Sequence, residues 1–158
     1  MKSVLISIRP KSCEKIANGD CNILIKKSAP KEVPFKCYIY MTQGTYKDLG
    51  LYSESIYQNR MKVIGEFICD KVEMVNAKCS DYGIDLFYHD CLTNGCLTER
   101  EIEEYFNIPE DRDLRVMKGN GYAWHISDLK IYDKPLSLSE LGVTRPPQSY
   151  MFVEEVEE

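Results

Sequence analysis

The chain has 158 residues, 44% hydrophobic, 28% charged and 11% aromatic. That is one domain with enough mass to bury a core, and the composition excludes wholesale disorder. The formal net charge of -5 argues against non-specific coating of nucleic acid, and no apolar run approaches the ~18 residues of a membrane span. The N-terminal apolar stretch is too short for a signal peptide, so the sequence predicts a cytoplasmic protein. Its seven cysteines are an odd number without paired spacing, and they read as reduced thiols. Charge is uneven: residues 1–36 hold eight Lys/Arg against three Asp/Glu, a net of +5, while residues 37–158 carry a net of -10. A local positive patch, rather than the net charge, attracts an anion.

Residues 2–9 alternate, Val4, Ile6 and Ile8 against Leu5, Ser7 and Arg9, the pattern of a half-buried strand. Pro10 suits the first turn of a helix over Lys11–Ala17, with Cys13, Ile16 and Ala17 inward and Asn18-Gly19 as the stop. A second strand spans Asn22–Lys27, with Ile23 and Ile25 on one face and Leu24 and Lys26 on the other. Ser28–Pro34 is a loop, and Phe35–Thr42 is a third strand rich in aromatic and β-branched residues. Gln43–Arg60 is a polar connection with some helix. Met61–Val75 is one long strand, with Gly65 as a bulge or point of close approach.

Ser80–Asn107 reads as mostly helical, with a capping box at Thr98–Glu101, and Pro109–Asn120 as a charged loop. Gly121–Tyr132 is a single strong strand, Tyr122, Trp124 and Ile126 opposing Ala123, His125 and Ser127. A helical turn at Leu138–Leu141 and a last strand at Tyr150–Val153 follow. Strands with a few helical insertions predict an α+β fold, a small mixed β-barrel with short peripheral helices. Residues 1–153 form a single domain, and 154–158, with four glutamates, a frayed acidic tail.

The order of these elements resembles the ASCH-domain family, whose fold is a PUA-like barrel. The resemblance rests on Ser7-Ile8-Arg9-Pro10-Lys11, the helix ending at Asn18-Gly19, and the charged strand Ile23–Lys27. Phe35–Tyr40, Val63–Phe67 and Gly121–Leu129 continue it. It runs from about residue 2 to about residue 152 and is nearest to small stand-alone ASCH proteins of phages and prophages. In the family the signature strand reads G-x-K-x-x-E-x-R. Here Gly19 is kept, while Cys21, Leu24 and Lys26 stand at the lysine, glutamate and arginine positions.

The resemblance implies an RNA- or nucleotide-binding module, with the cleft beside that strand. Arg9, Lys11, Lys26 and Lys27 are the phosphate-binding candidates. Ser7 and Asn22 are candidates to read a base or ribose, and Tyr122 or Trp124 to stack on a base. Trp124 on an alternating strand is also the natural core residue, which leaves His125 and Glu66 as further cleft candidates. Some relatives resemble amidohydrolases acting on acylated cytidine through a lysine. With Cys21 and Leu24 in place of the charged pair, turnover is not expected, and Cys21 is the one weak nucleophile candidate.

A further alternative is a phage-type protein that binds and inhibits a host defence protein, to which the acidic body would lend itself. No cofactor is expected. His89, Asp90, Cys91, Cys96 and Cys79 lack the spacing of a metal site, so no metal is expected either. The predicted partners are RNA or a nucleotide, with a host protein as the alternative and no membrane.

Overall fold

The computed structural model describes residues 1–44, 58–80, 83–86 and 117–156. β1 (Lys2–Ile8) leads into α1 (Pro10–Ala17), followed by β2 (Ile23–Lys26), β3 (Phe35–Met41), β4 (Lys62–Cys69), β5 (Val72–Ser80) and β6 (Gly83–Leu86). β7 (Met117–His125), β8 (Ser127–Leu136), a 3-10 turn at Leu138–Leu141 and β9 (Tyr150–Val153) complete the order. Among the described residues strands dominate and helices are few, as expected of an α+β fold. The strands form two hydrogen-bonded sheets rather than one closed barrel: β8-β4-β3-β1-β9 and β2-β7-β5-β6. β1 runs parallel to β3, with Val4 opposite Cys37 and Ile6 opposite Ile39, and α1 lies on the connection between them.

The N-terminal elements follow local chemistry. Pro10 opens α1, where its missing N–H costs nothing, and Pro10, Cys13 and Ile16 form the buried stripe. Ala17, expected inward, is exposed. Gly19, at φ +80, takes the left-handed position that ends the helix, and the Gly19, Asp20 and Cys21 amides return to carbonyls of its last turn.

Two long predicted strands are each divided by a corner at which the chain changes sheets. The Met61–Val75 run breaks at Asp70-Lys71, so β4 belongs to one sheet and β5 to the other. The Gly121–Tyr132 run breaks at Ile126, which separates β7 from β8 in the same way. The corners hold each other: the His125 amide donates to Lys71 O at 3.0 Å and Ser127 Oγ to Ile68 O at 2.8 Å. The pairing of β6 with β5 replaces helix by strand over 83–86, and β7 begins at Met117, inside the expected loop. The proposed capping box at 98–101 lies outside the described residues.

The main core fills the space between the sheets. Val4, Ile6 and Ile8 from β1, Phe35, Cys37 and Ile39 from β3, Phe67 from β4, and Leu24 and Trp124 from the second sheet meet there. A smaller cluster of Leu5, Tyr38, Tyr40 and Val63 lies on the opposite face of the five-stranded sheet, covered by Leu141 and Val143. Gly65 is required where β4 meets β8, because a Cβ there would stand 2.5 Å from Lys130 O and 3.1 Å from Ile131 Cα. The register slips on both sides of this point, as a bulge requires.

Candidate functional site

The signature strand lies on β2. Leu24 pairs with Trp124 and Lys26 with Tyr122, so these four share the face that meets the other sheet. Leu24 is buried in the main core, where a leucine fits and a glutamate would need a partner. Cys21 is 1% exposed and disulfide-bonded, not a reduced thiol. A disulfide sulfur under that much cover presents no thiolate, which removes the one nucleophile candidate. Cys13, Cys37 and Cys69 are free and buried. Burial pushes the Cys69 thiol up to about 11 and raises Cys13 and Cys37 as well.

Lys26 differs from its neighbours in carrying a charge at the edge of this core. It is half-buried, and its Nζ donates to Ser7 O at 3.3 Å. Burial lowers its pKa, against which the nearby Cys37 and Cys13 thiols act weakly. Among the described residues no carboxylate pairs with it. An ammonium has three donors, and the carbonyl takes one of them. The contact joins the end of β1 to the end of β2, so Arg9 and Lys27, both exposed, belong to the same end of the sheets. Lys11, on the first turn of α1, is half-buried, and Asn22 is exposed just before β2. Ser7 Oγ is committed to Pro147 O at 2.7 Å, so its contribution at the mouth is the backbone carbonyl.

Trp124 is fully buried, edge-on to Phe35 at 5.2 Å and to Tyr150 at 5.7 Å between ring centroids. Its Nε1 donates to Ser28 O at 3.2 Å, and Ser28 Oγ meets Ser149 Oγ at 3.0 Å. Every part of the indole is engaged within the protein, which makes it a core residue rather than a stacking platform. Tyr122 is half-buried against the same core.

The other two cleft candidates lie elsewhere. His125 shares the outer face of the four-stranded sheet with Ala123, its Nε2 3.5 Å from Glu73 Oε2, while Lys71 pairs with Glu73 Oε1. Glu66 pairs across the strands with Tyr38, on the face of the five-stranded sheet away from the main core. There Tyr132 Oη donates to its Oε1 at 2.8 Å, and Lys36 Nζ lies 3.1 Å from its Oε2. Lys36 also binds Glu155, and the Val156 amide donates to Tyr38 Oη at 3.0 Å. The first residues of the expected frayed tail are therefore docked on the sheet.

The predicted site residues thus do not form one cluster: Lys26 meets Ser7 where the ends of β1 and β2 approach, Trp124 is in the core, Glu66 stands on one outer face and His125 on another. Lys36, Tyr132, Ser28 and Ser149 were not among the predicted residues. The alternation of β3, which sets Lys36, Tyr38 and Tyr40 against Phe35, Cys37 and Ile39, carried the signal for Lys36. Among the described residues no group of three His, Cys, Asp or Glu forms a metal site, and no helix is long and apolar enough to cross a membrane. His89, Asp90, Cys91 and Cys96 lie outside the described residues.

Two sheets enclosing an apolar core, with few helices among the described residues, make a mixed α+β fold of the PUA-like kind. Solved structures agree. An ASCH protein from Zymomonas mobilis superposes with a TM-score of 0.64 at 16% identity, covering 98% of this chain and 89% of that one. A tyrosine-to-phenylalanine variant of it gives a TM-score of 0.61 at 15% identity, covering 98% and 92%. A serine-to-alanine variant gives 0.61 at 15%, covering 98% and 89%. The chain has the ASCH fold over nearly its whole length. No family model matches the sequence, and no curated protein matches it.

Proposed function

We propose that this ASCH-fold module binds RNA or a nucleotide through phosphate at the Lys26 mouth, without turning it over. The observation that carries this reading is a half-buried ammonium without a carboxylate partner among the described residues. A cation withdrawn from water is costly unless an anion completes its shell. Phosphate supplies that charge and accepts the donors that Ser7 O leaves over. Arg9 and Lys27 add positive potential at the same end, which fits the next phosphate of a strand. Cys21 and Leu24 support the absence of turnover. One is a buried disulfide sulfur and the other a core leucine, so neither moves a proton or attacks a carbonyl.

The test is fluorescence anisotropy with a short single-stranded RNA, followed by recovery of that RNA. Lys26→Glu is expected to weaken binding at least tenfold, with the RNA recovered at full length. Unchanged affinity in Lys26→Glu contradicts the site. Shortened RNA, or cytidine released from an acylated cytidine, contradicts the absence of catalysis.

A further inference from the structure

The outer face of the five-stranded sheet holds a cavity of about 380 Å³ that the Lys26 mouth does not use. Tyr38, Glu66 and Tyr132 line it together with exposed Lys130 and Lys134 and the aliphatic Leu136. That volume is in the range of small-molecule sites and accommodates a nucleoside. Its charges are Glu66 on the inner wall and, at exposed positions, Lys130 and Lys134 with the carboxylate of Asp133 between them.

Glu66 is paired with Lys36 at 3.1 Å and oriented by the Tyr132 hydroxyl at 2.8 Å. A carboxylate has about four acceptor positions and no donor. Two are occupied, which leaves acceptor capacity on a group that lines the cavity. A fitting ligand therefore carries adjacent N–H donors, a flat apolar body for Tyr132 and Leu136, and an anionic end for the lysines. A guanidinium meets the first condition and fails the last, since Lys36, Lys130 and Lys134 oppose a cation. Among nucleobases, guanine presents two neighbouring donors, N1–H and the exocyclic amine, on its pairing edge. Adenine and cytosine offer a donor beside an acceptor there, and the acceptor would face a carboxylate.

We propose that this cavity is a guanine-nucleotide site, with Glu66 accepting from the base edge, Tyr132 flanking the ring, and Lys130 and Lys134 meeting the phosphate. The site is independent of the Lys26 mouth. Its wall includes Val156, held by the amide bond to Tyr38 Oη and by the Glu155–Lys36 pair, so the C-terminal segment shapes the cavity.

Calorimetry with GMP, IMP, AMP, CMP and UMP on the full chain tests this. GMP is expected to bind at least tenfold more tightly than AMP, with IMP, which lacks the exocyclic amine, in between. Glu66→Gln introduces a donor and is expected to remove the preference for GMP. Lys134→Glu, at an exposed position where folding is not at risk, is expected to weaken GMP at least threefold and leave guanosine unchanged. Repeating the series with a short single-stranded RNA containing one guanine, in the Lys26→Glu background, separates a free nucleotide from a guanine within a strand. Glu66-dependent binding of either kind supports the site. Equal affinities for all five nucleotides, no GMP binding, or a GMP preference that survives Glu66→Gln would overturn it.

Discussion

Lys26 and Lys36 face opposite sides of the five-stranded sheet, and their surroundings give them opposite character. Lys36 lies between two carboxylates: its hydrogen bond to Glu155 raises its pKa most, burial opposes the shift, and Glu66 adds to it. The same contact lowers the pKa of Glu155. Lys26 meets a carbonyl and two thiols, and burial lowers its pKa. One ammonium is satisfied from within the protein and locks strands and tail together. The other has the Ser7 carbonyl within the protein, and a phosphate from outside is the partner proposed for it. The residue type alone does not assign either role; the neighbouring chemistry does.

The largest effect is expected where the two regions share a core. Trp124→Ala removes a fully buried indole from between Phe35 and Tyr150 and should cost about 3–5 kcal/mol in a denaturant titration. A cost below 1 kcal/mol, together with lost RNA binding, would make Trp124 a stacking platform and shift the binding surface away from Lys26. Gly65→Ala drives a Cβ into the β8 backbone and should cost roughly 1–3 kcal/mol by the same measurement. It would also disturb the strand that carries Lys130 and Tyr132, while leaving the mouth intact.

Lys36→Met should destabilise the fold by roughly 1–3 kcal/mol, because Glu66 loses its charge partner. Lys26→Met should do the reverse and raise the melting temperature by about 2–4 °C at neutral pH while weakening RNA binding. Alkaline melting curves separate the two lysines by sign. The folded pKa of Lys26 lies below the ordinary 10.5, so stability rises as pH climbs through that lowered value toward 10.5. The folded pKa of Lys36 lies above 10.5, so its stabilisation is complete below 10.5 and is lost as pH rises through the folded value. Lys26→Met should abolish the rising limb and Lys36→Met the falling one. Identical profiles in the two variants would erase the distinction.

The individual strands were legible because alternation reports which face of a strand is buried, and β1, β3 and β9 fall where it places them. The two corners were not, since the only signal is a shift of apolar phase, from Phe67 and Cys69 to Val72 and Met74 and from Trp124 and Ile126 to Leu129 and Ile131, and a bulge within one strand leaves the same trace. The same limit divided the site. Alternation correctly set Glu66 apart from Phe67 and His125 apart from Trp124, but it does not say which sheet each face belongs to, and the two residues lie on outer faces of different sheets. Lys26 became a candidate because it stands at a charged position of the motif that the sequence resembles. Lys36 was passed over because its two carboxylates, Glu66 and Glu155, are distant in sequence. The state of Cys21 had no spacing signal among seven cysteines.

The most direct test of the central claim is the salt dependence of affinity for a short single-stranded RNA, compared between the wild-type chain and Lys26→Met. A phosphate held by Lys26 predicts a shallower dependence in the variant, by about 0.7 in the slope of log affinity against log salt, with weaker binding at every salt concentration. Superimposable lines for the two proteins would show that no phosphate sits on Lys26 and would contradict the account.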